Sequence, residues 1–208
     1  MSLNRFITIE GIDGAGKSTQ VKFIEQYLTQ KGQRVILTRE PGGTQLGEQL
    51  RQILLDAKIP LSLDTEILLI FAARAEHIHQ IIRPALRQGY WVVSDRFTDA
   101  TLAYQGGGHG ADLHRIDQLS NWVQKDIAPC FTFLIDVPLE VAKMRLSVHS
   151  YLDRFENQAM DFHQRVRNTY LKIASQDPKR FTIIDGSQSI KVMQQSITKP
   201  LDQLLRLL

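Results

Sequence analysis

Apolar positions along this chain switch between two spacings, and the switching predicts most of the fold. Phe6 to Glu10 (FITIE) is a short β-prone run. From Thr19 the spacing changes: Val21, Ile24 and Leu28 share one helical face, and Gly32 can close that helix. Arg34 to Thr38 (RVILT) predicts a second strand, and Leu46, Leu50, Ile53 and Leu54 predict a short amphipathic helix. Asp64 is placed to cap a long helix reaching about Arg87, which Pro84 should kink or end. Its segment Ile67–Ala73 is apolar on every side, so it should be buried on every side, in part by a partner subunit. Trp91 to Ser94 is a third strand ending at Asp95-Arg96, followed by a short helix or turn over Thr98–Gln105. Gly106-Gly107-Gly108-His109-Gly110 reads as a flexible loop with no packing of its own. Leu113, Ile116, Leu119 and Val123 mark a helix, Phe131 to Ile135 a fourth strand, and Glu140 to about Val148 a further helix. The pattern breaks over His149–Asp153 and resumes as a helix through Phe155, Ala159, Phe162, Val166, Tyr170 and Ile173. Phe181 to Ile184 is a fifth strand, and the last helix is interrupted by Pro200. Strands alternating with helices predict an α/β fold with a parallel sheet.

Composition narrows this picture without changing it. With 208 residues, 43% hydrophobic and 23% charged, the chain suits one domain over 1–208. A net charge of +3 is a mild excess. It fits phosphate handling better than coating a nucleic-acid polymer. The single cysteine, Cys130, excludes an internal disulfide, and its apolar neighbours suggest an inert buried thiol. No leader-like segment precedes the first strand, and the longest apolar run is too short to span a bilayer. The expected location is the cytoplasm, without a membrane partner.

The chemistry centres on Gly11-Ile12-Asp13-Gly14-Ala15-Gly16-Lys17-Ser18, followed by Thr19. The spacing G-x-x-x-x-G-K-S between a strand and a helix is that of a phosphate-binding loop. Its backbone N–H groups and the helix N-terminus face phosphate oxygens. Lys17 adds charge for the outer phosphates, and Ser18 is the expected Mg²⁺ ligand. Asp95 closes a neighbouring strand, a usual place for an acid that holds Mg²⁺ directly or through water; a structural ion pair is the alternative. Arg39, before Pro41-Gly42-Gly43, can grip a phosphate or simply face solvent. Phe71 and Arg74 lie three apart on one helical face. That pair suits a nucleobase, although spacing alone favours a core phenylalanine and a surface arginine. Arg145 and Arg154 flank the irregular segment, and either can be a lid cation or a solvated surface group. The six histidines show no metal-ligand spacing.

These pieces, in order, resemble the bacterial thymidylate kinase family. The matching stretches are FITIEGIDGAGKST at 6–19, TREPGGT at 38–44, LLIFAARAEH at 68–77, SDRF at 94–97, TLAYQGGG at 101–108, LIDVPLEVA at 134–142 and LDRFE at 152–156. The resemblance implies a five-stranded parallel sheet wrapped by helices, a lid at about 143–155, and a homodimer. It implies transfer of the ATP γ-phosphate to dTMP with Mg²⁺, a step towards dTTP. Lys17 and Ser18 would serve the ATP phosphates and metal, and Asp13 the dTMP sugar. Arg39 and Arg96 would hold the dTMP phosphate. Phe71 would stack on thymine, Arg74 would donate to its O4 edge, and Thr101 and Gln105 would complete the base site. Tyr104 would crowd the sugar 2′ position. Arg145 and the turn at 185–188 would lie near adenine. Ala15 in the loop is as expected for the bacterial type, whose members usually carry several arginines in the lid instead; the one departure is that 146–151 holds no lysine or arginine. Arg145 and Arg154 are therefore expected to supply the cation at the transferring phosphate, with protonated His149 as the alternative. A kinase for another nucleoside monophosphate is the rival within enzymes. A GTPase-type switch lacks support, because no N-K-x-D guanine signature is present.

Overall fold

The computed structural model describes residues 5–147 and 153–206. Five parallel strands form one sheet in the order β2-β3-β1-β4-β5, with β1 at Phe6–Glu10, β2 at Val35–Arg39, β3 at Trp91–Asp95, β4 at Phe131–Asp136 and β5 at Phe181–Asp185. The α/β expectation with a five-stranded parallel sheet is met. The middle strands are apolar runs covered on both faces, as parallel sheets require: Ile7, Ile9, Trp91, Val93 and Phe133 are fully buried.

Register decides what reaches the carboxyl edge of the sheet. Ile9 pairs with Asp95, and Arg39 also pairs with Asp95, so the residues just after β1, β2 and β3 emerge side by side. Ligands bind at this edge in open α/β sheets. The helix α1 (Lys17–Gln30) leaves it immediately after the glycine-rich turn.

Three local expectations are corrected. The helix α3 (Leu63–His77) is capped by Ser62, whose Oγ accepts from Thr65 N at 3.2 Å; Asp64 sits inside the first turn, where its charge suits the helix dipole. Pro84 does not end this segment. The chain widens into a π-helical stretch at Ile78–Ile82 and continues as α4 (Arg83–Arg87) with Pro84 in its first turn. A wider turn upstream accommodates the missing N–H and the ring. The glycine-rich stretch is not a loose loop either. After α5 (Thr98–Thr101), Leu102–Gly108 is a second π-helical segment, and it packs on α8 (Met160–Gln176). A Cβ on Gly108 would lie 2.5 Å from Phe162 Cε2, and one on Gly106 2.5 Å from Leu113 Cδ2. Glycine is there because the helices leave no space.

α3 is flanked by α2 (Gln45–Leu55) and α6 (Leu113–Gln124). Ile67, Ile70, Phe71 and Arg74 turn inward, while Leu68 remains 57% exposed. The remaining elements are α7 (Leu139–Leu146) and α9 (Ile190–Arg206), which carries Pro200 within it. Of the expected lid, 143–147 and 153–155 are described; His149 and the rest of 148–152 lie outside the described residues.

Candidate active site

Two adjoining cavities open at the sheet's carboxyl edge. The first is bordered by the phosphate loop, Ser18, Thr19, Arg39, Arg51, Asp95, Arg96 and Arg145. Gly14 (φ 77°) and Gly16 (φ 96°) take left-handed conformations that let the loop fold over the start of α1. The loop closes on itself through Ala15 N donating to Ile12 O at 3.2 Å. Lys17 is buried. Its Nζ donates to Ile12 O at 2.9 Å and lies 3.6 Å from Asp13 Oδ1. Burial and the Arg96 charge pull its ammonium below the usual lysine range.

Arg96 has φ 73°, unusual for a side chain of this size, and its neighbours hold it there. Arg96 N donates to Ile9 O at 3.0 Å, and Phe97 N donates to the fully buried Glu10 Oε1 at 2.7 Å. The guanidinium donates to Gly11 O (2.9 Å), Tyr170 Oη (3.1 Å) and Tyr104 Oη (3.0 Å), and forms an ion pair with Asp13. Tyr170 Oη donates to Glu10 Oε2 at 2.8 Å, and Tyr104 Oη to Asp13 Oδ2 at 2.7 Å. Burial opposes the charge on Asp13, yet Arg96 and Lys17 together hold its carboxyl well below the usual range. Burial, reinforced by Asp99, pushes Glu10 the other way, up to about 8.

Arg39 is exposed and pairs with Glu48 at 2.8 Å, whose other oxygen accepts from Gly43 N at 2.9 Å. Arg51 donates to Pro41 O at 3.0 Å and borders both cavities. Three guanidinium groups, Arg39, Arg51 and Arg96, thus border the outer cavity, and the last two border the inner one as well. Asp95 Oδ1 is buried with no hydrogen-bond partner, and Asp95 borders the same cavity as the exposed Ser18. This hard-oxygen pair fits Mg²⁺. No cluster of three or more acidic, histidine or cysteine side chains suited to a metal occurs among the described residues. An ion here would therefore take its remaining ligands from nucleotide phosphates and water.

The second cavity runs inward between α2, α3 and α5, bordered by Glu40, Leu54, Ile70, Arg74, Phe97, Thr101, Tyr104, Gln105 and Phe155. Arg74 is 1% exposed. Its Nε donates to Glu40 Oε2 at 2.7 Å, and its NH2 to Thr101 Oγ1 at 2.9 Å and Phe97 O at 3.2 Å; its NH1 is buried without a partner. His77 Nδ1 lies 2.9 Å from Glu40 Oε1, and its Nε2 2.5 Å from Thr38 Oγ1. Burial disfavours the Glu40 charge, but Arg74 and His77 more than offset it and lower its pKa. The Phe71 ring lies 4.8 Å from the Arg74 guanidinium and packs with Ile67 and Ile116, so it backs Arg74 and is not among the residues bordering the cavity. Gln105 is buried, and its Nε2 donates to Glu66 Oε1 at 2.7 Å.

The two lid arginines part company here. Arg145 stays at the phosphate loop, where its NH2 donates to Gly186 O at 2.9 Å and its NH1 to Gly14 and Ala15 O at 3.4 and 3.3 Å. It ties that loop to the turn after β5. Arg154, expected at the transferring phosphate, is instead ion-paired with Glu66 at the inner cavity. Arg154 is not among the residues bordering the outer cavity.

Sequence reasoning missed Glu10, Glu40, Arg51, Glu66 and Tyr170. Glu10 and Glu66 had a signal: each is a lone carboxylate adjoining an apolar run, and such a group needs a partner when buried. Arg51 had none, since it reads as an ordinary exposed residue of an amphipathic helix.

Comparison with known proteins agrees with this geometry. A family model described as thymidylate kinase matches residues 9–197. Thymidylate kinase of Chromobacterium violaceum is 51% identical over 201 residues, covering 97% of this chain and 95% of that protein. Thymidylate kinase of Cupriavidus necator is 52% identical over 197 residues, covering 94% and 96%. The crystal structure of thymidylate kinase from Ehrlichia chaffeensis superposes with a TM-score of 0.77 at 38% identity, covering 95% of this chain and 97% of that one. Matched by the family model along most of its length and by relatives over nearly all of it, this chain belongs to the thymidylate kinase family.

Proposed function

We propose that this chain phosphorylates dTMP to dTDP with ATP, binding the acceptor across both cavities and the donor over the phosphate loop. The observation that carries the reading is Arg74 NH1, a buried donor without a partner beside a cavity that also holds Thr101 and Gln105. A buried unpaired N–H costs stability unless a ligand acceptor meets it, and thymine O4 is such an acceptor. Phe71 supports the base site, and Tyr104 crowds the sugar where a ribose would carry its 2′ hydroxyl. Asp13 faces the sugar. Arg39 and Arg96, with Arg51, receive the acceptor phosphate. Gly11 through Thr19 bind the donor phosphates, and Arg145 with the 185–188 turn borders adenine.

The acceptor is a phosphate monoester with a second pKa of about 6, so it is mostly dianionic at neutral pH and needs no general base. Catalysis is then alignment and charge neutralisation, which suits a site rich in arginine. Lys17 would swing from Ile12 O to the transferring phosphoryl group. Ser18 and Asp95 would hold Mg²⁺, which supplies charge neutralisation at the donor phosphates. Arg154 would reach the transferring group only after leaving Glu66 on lid closure, a movement that also excludes water.

The chain is read as one domain with a lid at about 143–155, acting in the cytoplasm as a homodimer. The dimer rests on the exposed Leu68 of α3 with its flanking Leu46 and Ile53 on α2 and Trp122 on α6. No helix of the described residues is long and apolar enough to cross a membrane.

The test is ADP release from ATP with dTMP, dUMP, dCMP, dGMP and dAMP as acceptors. The expected outcome is highest kcat/KM for dTMP. Preference for dCMP or a purine nucleotide overturns the reading.

A further inference from the structure

Glu66 enters the chemistry above only as the partner that Arg154 leaves, yet it is a carboxylate only 3% exposed on a helix facing the inner cavity. Its two oxygens have different partners. Oε1 accepts from Gln105 Nε2 at 2.7 Å, and Oε2 is ion-paired with Arg154. His109 Nε2 stands further off, 3.9 Å from Oε1. An ionised carboxylate offers acceptors and no donor. That fact decides an orientation that side-chain amides otherwise leave open. Gln105 must present its NH₂ to Glu66, so its carbonyl Oε1 must turn away from Glu66. No hydrogen bond reaches that Oε1 among the described residues, and Gln105 borders the inner cavity.

We propose that Glu66 is a positioning residue that sets base specificity by locking the Gln105 amide in one orientation. The proposal rests on the reading of the inner cavity as the base site. The cavity then offers a fixed pattern: a donor from Arg74 NH1 and an acceptor from Gln105 Oε1. Thymine and uracil carry the complement, an O4 acceptor and an N3–H donor. Cytosine carries the inverse, an N4 amino donor facing Arg74 and a bare N3 facing Gln105 Oε1. Two mismatches in a buried site leave four polar groups unpaired, which is how such sites reject an analogue. If Gln105 were free to rotate, its NH₂ could meet cytosine N3, and half of that discrimination would be gone. The ordinary alternative is that Glu66 serves only as a counter-ion for Arg154.

Glu66→Gln separates the two. A glutamine at 66 can pair with Gln105 in either amide orientation, so the lock is lost while the volume is kept. Steady-state kcat/KM is measured for dTMP, dUMP and dCMP in the wild type and this variant. The expected result is a rise of roughly tenfold in the dCMP/dTMP ratio, about one hydrogen bond's worth, with the dUMP/dTMP ratio unchanged. General loosening of the pocket would move both ratios together, and that outcome overturns the proposal. So does an unchanged dCMP/dTMP ratio in a folded variant. Glu66→Asp, which keeps an acceptor-only group, should restore wild-type selectivity. If neither variant folds, ¹⁵N NMR of the wild-type Gln105 side chain decides: slowly exchanging NH₂ protons are expected, and freely exchanging ones overturn the lock. Wild-type enzyme that does not itself favour dTMP and dUMP over dCMP removes the base-site reading, a failure distinct from any result with Glu66.

Discussion

The two halves of the site use charge in opposite ways. In the outer cavity most cations are near solvent or paired with weak competitors: Arg39 with exposed Glu48, Arg51 with a carbonyl, Lys17 with a carbonyl and, at longer range, Asp13; Arg96, which borders both cavities and is ion-paired with Asp13, is the exception. Around the inner cavity the carboxylates are buried and paired: Glu40 with Arg74 and His77, and Glu66 with Arg154. Phosphates can be met by groups that move, because charge attracts from several directions. A base edge is told from its relatives only by donors and acceptors fixed in direction. The inner carboxylates therefore act as fixtures for neighbouring donors, and fixtures of this kind carry the fold as well as the ligand.

This contrast is sharpest in what mutation should do to stability and turnover separately. Lys17→Ala should cut kcat by about 10²–10³-fold or more, the scale for losing a preorganised charge at the reacting group. Its thermal midpoint should stay near wild type, because burial already disfavours the lysine's charge. A large loss of stability in this variant would erase the distinction between the two halves.

Arg74→Met should fail in both respects. Removing Arg74 from this buried pair leaves Glu40 with His77 alone, a loss on the scale of about 3–5 kcal/mol, and kcat/KM for dTMP should fall with it. Urea unfolding beside the kinetic assay checks this. A variant as stable as wild type would mean that the inner pair is not structural.

The smallest effect concerns Glu10, which lies between the halves. Its raised pKa means that the folded protein holds a proton that the unfolded chain releases at the ordinary carboxylate value. Its contribution is therefore complete at acid pH and lost as pH rises towards about 8. The slope contributed is at most about 1.4 kcal/mol per pH unit in that window. Midpoints measured from pH 5.5 to 8 should fall in the wild type and fall less in Glu10→Gln. Equal slopes would show that Glu10 is not the group responsible.

The same contrast explains what could be read from the sequence. The outer half is written contiguously: Gly11 to Ser18 is one loop, and its spacing alone names its chemistry. Strands and helices followed from the apolar period because each buries a face against the sheet. The inner half is assembled from β2, α3 and the π-helical Leu102–Gly108 segment. Glu40 and Arg74, or Glu66 and Gln105, carry no local sign of their partnership, since only folding brings them together. Arg154 was visible as a cation, but its pairing with Glu66 depends on the path of the chain around the site. The glycines at 106–108 suggested freedom because composition does not say whether an absent side chain leaves space or is displaced by a neighbour.

Those glycines limit how the sequence can drift. A Cβ on Gly107 would overlap the Thr169 side chain, and one on Gly108 would lie 2.5 Å from the Phe162 ring. Neither glycine has a left-handed φ, so backbone conformation would admit alanine and only the facing helix forbids it. A side chain gained on one surface must therefore be matched by one lost on the other. Alanine at 108 should be accepted only alongside a smaller residue at 162, and the same reciprocity should hold between 107 and 169. Because Tyr104 and Gln105 ride on the same short segment, an uncompensated methyl would be felt first as altered choice of nucleotide, before any loss of the sheet.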